Sequence, residues 1–209
     1  MPPAAAPMTV PAAAPSAIGQ PPAGRVIVFS GPKEGVGKST IALNLAMAWA
    51  GTQSRNVIIV HLDPLCRNDL GFMLGLQPPT LASLSQFVGK DVAVLSKLLK
   101  GRVPVSQWGV GLLPLGNKRA DALEVSPHVA VPILESLNQS YDLFIDVDPN
   151  FAMQVFAFDL ADIIFWSVLP QRAHFEATYN IFQELKGLHF PLEHLIHPRK
   201  KREQHEGHQ

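Results

Sequence analysis

FSGPKEGVGKSTIALN, residues Phe29 to Asn44, sets a glycine-bearing turn directly between the apolar run Arg25–Phe29 (RVIVF) and a segment with helical spacing, Lys38–Ala50. Gly35 and Gly37 can take positive backbone dihedrals and leave no side chain in the way, so successive amides can turn inward on an anion. A helix starting near Lys38 adds unpaired amides and the positive end of its dipole. In such a loop Lys38 reaches the β- and γ-phosphates of a nucleotide as a flexible point charge. Ser39 offers its hydroxyl to magnesium, a cation that prefers hard oxygen ligands, and Thr40 stands near the α-phosphate. The plainer alternative is a lysine–serine pair at an ordinary helix start, with the glycines only making a turn.

Outward from this loop, short apolar runs alternate with helical patterns. Arg25–Phe29, Val57–Val60, Gly109–Leu115, Leu143–Val147 and Ile163–Leu169 carry Val, Ile, Leu and Phe on consecutive positions, as strands buried on both faces do. Lys38–Ala50, Leu81–Val88, Val92–Leu99, Pro127–Asn138 and Ala173–Leu188 repeat apolar residues at three- and four-residue spacing, the mark of a helix with one buried stripe. Strands alternating with helices predict an α/β fold: a mostly parallel sheet covered by helices on both faces.

The expected organisation is a Pro/Ala-rich, disordered arm over residues 1–24, one domain over 25–190 and a basic, His-rich tail over 191–209. The arm carries no charge. The tail holds Arg199, Lys200, Lys201 and Arg202 without interleaved aromatics, a pattern of a solvated end more than of a nucleic-acid or lipid surface. With 17 basic and 17 acidic residues the chain has no global field to draw in nucleic acid. The single cysteine, Cys66, excludes a disulfide scaffold and a cysteine-rich cluster within one chain. No apolar run reaches the roughly 18 residues of a membrane span, and the N-terminus lacks the layout of a signal peptide, so a soluble, cytoplasmic protein is expected.

Ligands of open parallel sheets collect at the carboxyl ends of strands, which draws attention to two acidic strand ends. NVIIVHLDP closes on Asp63, which has the plain alternative of capping a turn before Pro64. YDLFIDVDP offers Asp146, with Asp148 two residues on as the alternative if the register slips.

The strict phosphate-loop spacing fails, because its first glycine falls at Pro32. Lys33, Gly35, Val36, Gly37, Lys38 and Ser39 instead resemble the variant loop of the ParA/MinD/CpaE group of P-loop ATPases, written KGGxGK followed by Ser or Thr, with Glu34 in place of the first glycine of that pair. The opening Ser-Gly-Pro-Lys and the helix residues Ile41–Ala46 look most like the CpaE or TadZ branch, which serves pilus assembly and polar localisation. The resemblance implies ATP and Mg2+ as ligands, with slow hydrolysis timing assembly and disassembly. It implies that Lys33 reaches the phosphates of a second copy in an ATP-dependent homodimer. It gives Asp63, the second of the family's paired aspartates, the placing of the attacking water, with His61 where the family has the first, and gives Asp146 the magnesium. After Leu188 the family continues with a further strand and an adenine-contacting loop, which this sequence does not match, so the chain is expected to be shortened at its C-terminus. Two other readings stand beside the switch ATPase: a non-hydrolysing adaptor of the same fold, motivated by Pro32, Glu34, His61 and Asp148, and a DNA-partition ATPase.

Overall fold

The computed structural model describes residues 24–53 and 55–192; the proline-alanine arm before them and the basic, histidine-bearing tail after them lie outside the described residues. Five strands, β1 (Val26–Ser30), β2 (Val57–Leu62), β3 (Val110–Pro114), β4 (Asp142–Val147) and β5 (Ile163–Trp166), form one sheet in the order β3-β2-β4-β1-β5. Every pairing is parallel. The helices are α1 (Lys38–Thr52), α2 (Asp69–Leu74), α3 (Leu81–Leu84), α4 (Val92–Leu99), α5 (Arg119–Glu124), α6 (Pro127–Asn138), α7 (Phe151–Leu160) and α8 (Arg172–Gly187), with a 3-10 turn, Ser85–Phe87, after α3. Among the described residues no helix is long and apolar enough to cross a membrane.

The sheet is buried on both sides, and the alternation of side chains along each strand divides the core in two. On one face Ile27 and Phe29 of β1 pack with Ala42 and Ala46 of α1 and Leu70 and Leu74 of α2. On the other, Val26 and Val28 join Leu95 and Leu99 of α4, Leu134 and Leu137 of α6, Phe158 of α7 and Leu185 of α8. Ala42 and Ala46 present only methyl groups, which lets α1 lie close against the strands.

The start of β1 is tied in by two carboxylates. Asp142 accepts from the Arg25 amide and from Trp49 Nε1, both at 2.8 Å, and Asp162 accepts from the Val26 amide at 2.8 Å. These bonds join β1, β4, α1 and the entry to β5.

Two expectations change. The apolar run Ile163–Leu169 is a strand only to Trp166, and it is an edge: Ile164 is buried, while Phe165 stacks on Phe29 with its other face exposed. Residues Leu81–Val88 split into the short α3, whose start Thr80 and Ser83 close with a capping box, and a 3-10 turn.

The strand order positions the site. The chain leaves β1, passes over β4 to reach β2, and later returns to β4 and β5, so the order reverses around β1 and β4. A crevice opens outside the carboxyl ends at such a point. In register, Asp146 lies between Phe29 of β1 and His61 of β2.

Candidate functional site

The loop after β1 has the backbone a phosphate needs. Gly35 and Gly37 hold φ of 75° and 86°, and a Cβ on either would meet nothing within 4 Å. Glycine stands at these positions for the left-handed backbone and not for lack of room. Gly37 is the N-cap of α1, no side chain caps the helix, and its first turn holds no acidic residue. The amides of that turn, which no intrahelical carbonyl can pair, are left for an anion. The root of the loop is pinned from below: Gln154 of α7, 1% exposed, donates through Nε2 to Ser30 Oγ at 2.9 Å and to the Gly31 carbonyl at 3.0 Å.

The loop forms one wall of a cleft of about 650 Å³, whose lining includes Glu34, Gly35, Gly37, Lys38, Ser39, Thr40, His61, Arg67, Asp69 and Asp148. Lys38 is 4% exposed and its Nζ lies 3.9 Å from Asp148 Oδ1. Of the residues expected from the sequence, the cleft thus gathers Gly35, Gly37, Lys38, Ser39 and Thr40. Val36 turns into the protein, and Lys33 stands exposed on the loop, outside the lining.

The acidic strand ends separate into three environments. Asp63 is buried and fully engaged, accepting from the Leu65 amide at 2.7 Å, the Arg67 amide at 3.0 Å and Arg67 Nε at 2.8 Å. Burial pushes its carboxyl up, but these bonds and the Arg67 charge together hold it below the usual carboxylate range. The pairing in turn raises the Arg67 guanidinium, chiefly through the Asp63 hydrogen bond. Arg67 reaches on through Nη2 to Asp148 Oδ2 and through Nη1 to Glu34 Oε2 at 3.4 Å. Asp148 is pushed up by burial and by the nearby Asp63 charge, against the pull of Lys38 and Arg67.

Asp146, the residue to which the sequence reading gave magnesium, is 0% exposed and sits inside β4 beneath the cleft. His61 Nε2 is 3.6 Å from its Oδ2, and neither carboxylate oxygen has a hydrogen-bond partner. Asp148 lies just past the strand end and lines the cleft wall in its stead. Arg67 and Gln154 were not singled out from the sequence. The signal for Arg67 was available, a cation four residues after Asp63; Gln154 is one polar residue in an apolar run and gives no such hint.

The donor set fits magnesium brought by a nucleotide. The Ser39 hydroxyl and the Asp148 carboxylate are hard oxygen donors lining one cleft with Lys38. Among the described residues no three His, Cys, Asp or Glu side chains cluster to hold a metal unaided, and nucleotide-borne magnesium needs only one or two protein ligands besides phosphate and water.

The fold has many relatives among solved structures. A ParA family ATPase from Chlorobium tepidum TLS superposes with a TM-score of 0.66 at 21% identity, over 78% of this chain and 68% of that one. The septum site-determining protein MinD from Pyrococcus horikoshii OT3, complexed with Mg-ADP, gives 0.57 at 20% identity, over 78% and 65%. A cobyrinic acid a,c-diamide synthase from Mycobacterium smegmatis, with bound ATP analog and magnesium, gives 0.54 at 20% identity, over 79% and 69%. At these identities the likeness is one of fold. No curated protein sequence gives a significant match. The family described as the CobQ/CobB/MinD/ParA nucleotide binding domain matches residues 27–190, which run from β1 to the end of α8 and take in the loop and every wall of the cleft, and the chain belongs to that family.

Proposed function

We propose that the chain binds ATP with magnesium in this cleft and acts as a nucleotide-dependent switch that slowly hydrolyses it. The observation that carries this reading is the convergence on one cleft of the uncapped start of α1, the left-handed Gly35 and Gly37, and the buried Lys38 facing Asp148. Lys38 neutralises charge on the β- and γ-phosphates, and Thr40 lies where the α-phosphate passes. Ser39 and Asp148 would hold magnesium, which when bound supplies positive charge to the transferring oxygens. Asp148 takes this role in place of Asp146 because it alone of the two lines the cleft.

The family likeness carries the finer reading. Lys33, exposed on the loop, would reach the nucleotide of a second copy in an ATP-dependent dimer, and the partner would be a protein of a pilus-assembly or polar-localisation system in the cytoplasm. Phosphate release from the full chain with ATP and magnesium, with sedimentation in the same samples, tests the switch. Slow release with a dimer that appears only with ATP supports it; a monomer under all conditions removes the role of Lys33.

One observation favours the non-hydrolysing adaptor as a second reading. Asp63 is 1% exposed, lies outside the cleft lining and is engaged by Leu65 and Arg67 of its own turn, so its carboxylate is not presented to a water in the cleft. Nucleotide binding without phosphate release would select that reading.

A further inference from the structure

Arg67 occupies an unusual position at this cleft. Its guanidinium touches three carboxylates from three segments: Asp63 at the end of β2, Asp148 at the end of β4 and Glu34 in the loop. The contacts are unequal. Nε and the backbone amide both hold Asp63, four residues away, which fixes the base of the side chain. The Nη groups reach across the cleft, one to Asp148 and one to Glu34 at 3.4 Å, and the side chain is 41% exposed, so this outer part has room to turn about the Asp63 anchor.

The charges around the cleft make this arrangement unstable toward a polyphosphate. Glu34, Asp69 and Asp148 line it against the cations Lys38 and Arg67. A triphosphate brought against that wall is repelled unless cations turn toward it. A cation brought by the nucleotide and Arg67 Nη2 compete for the negative charge of the one Asp148 carboxylate. Once Asp148 serves that cation, its hold on Nη2 weakens, and the 41% exposed end of the side chain is free to turn to another anion. A planar two-donor fork matches a phosphate as well as it matches a carboxylate.

Resting on the nucleotide reading of the cleft, we propose that Arg67 is the residue that distinguishes a nucleoside triphosphate from a diphosphate. It stays anchored on Asp63 while its Nη groups exchange Asp148 and Glu34 for the terminal phosphate. A diphosphate lacks that phosphate and leaves Arg67 on the carboxylates.

The test compares the full-length wild type with Arg67→Gln and Arg67→Lys by calorimetric titration with the imido analogue of ATP and with ADP, each with magnesium. Circular dichroism confirms that each variant is folded. In Arg67→Gln the affinity for the triphosphate analogue falls by about tenfold or more while that for ADP stays within about threefold, as expected for one lost charge-assisted contact to the terminal phosphate. Arg67→Lys keeps the charge near Asp63 but not the fork, so it shows a smaller loss in the same direction and remains informative if the glutamine variant fails to fold. An unchanged ratio between the two nucleotides in a variant, or equal gains for both as a mere block would give, overturns the role of Arg67 and leaves the site intact. A wild type that binds neither nucleotide overturns the site reading and the role of Arg67 with it.

Discussion

Asp148 faces Lys38 across the cleft, Oδ1 to Nζ at 3.9 Å, while Asp146, two residues earlier in the same strand, has no exposure at all. The difference comes from where β4 ends. Val147 is its last residue, so Asp146 is still locked between β1 and β2 and Asp148 has left the ladder. On the proposed nucleotide reading, the carboxylate that would hold the metal is therefore the one beyond the strand.

Asp148→Asn is expected to weaken magnesium-dependent nucleotide binding by about tenfold or more, since it removes a charged oxygen ligand and leaves the fold's buried packing untouched. Asp146→Asn, a change at a side chain that does not reach the cleft, is expected to leave the magnesium dependence as it is. Titration of each variant with nucleotide at varied magnesium checks both. Equal loss in the two, or loss in Asp146→Asn alone, returns the role to Asp146.

The acid side of the stability curve should carry the mark of Arg67. Asp63 is held below the ordinary carboxylate range, so its stabilising contribution is present above that range and is lost as pH falls through its depressed folded-state value. Asp148 has the opposite sign: burial raises it, so its charged form costs stability above its raised value, and that cost disappears on acidification. Removing the guanidinium in Arg67→Gln takes away the side-chain bond and the charge that do most to hold Asp63 down, and leaves the two backbone bonds. The loss of urea stability as pH falls from the ordinary carboxylate value, about 4, toward lower pH is expected to be smaller in the variant than in the wild type. Parallel pH profiles would contradict this assignment.

Asp142 is a structural counterpart, remote from the cleft. Its two oxygens take the Arg25 amide and Trp49 Nε1, and it is 5% exposed. Asp142→Ala leaves a partly buried indole donor and the first amide of the strand region without their acceptor. The expected cost is about 2 kcal/mol in chemical denaturation, with nucleotide affinity at saturating folding conditions unchanged. A loss below about 0.5 kcal/mol, the range of ordinary surface substitutions, would show that water replaces the carboxylate.

Much of this architecture is legible in the sequence because a parallel sheet writes itself as consecutive apolar residues. VIVFS, VIIVHL and DLFIDV are buried at every position, and each is found where its apolar run predicts. Helices with one buried stripe, such as α4 and α6, are equally plain. Three helices are not. α7, FAMQVFAFDL, is apolar on nearly all sides and shows no stripe, so its period is invisible. α2 carries Phe72 and Met73 exposed at 83% and 64%, which blurs its buried face, and α5 is only six residues long. The loop Gly35–Thr40 reads directly, because left-handed glycines and a following helix are local properties. The choice between Asp146 and Asp148 is not local: it depends on the residue at which β4 leaves the sheet. The pairing of Arg67 with Asp63 is local, four residues apart, but its meeting with Glu34 and Asp148 comes only through the fold.

The central claim is that this cleft binds a magnesium nucleotide through Lys38. Calorimetric titration of the full chain with ATP and magnesium, beside Lys38→Ala, tests it most directly. The account predicts saturable one-site binding to the wild type that requires magnesium and is weakened by at least about tenfold in the variant, as loss of a buried charge-assisted contact implies. Absence of binding to the wild type, or binding that Lys38→Ala leaves intact, would contradict it.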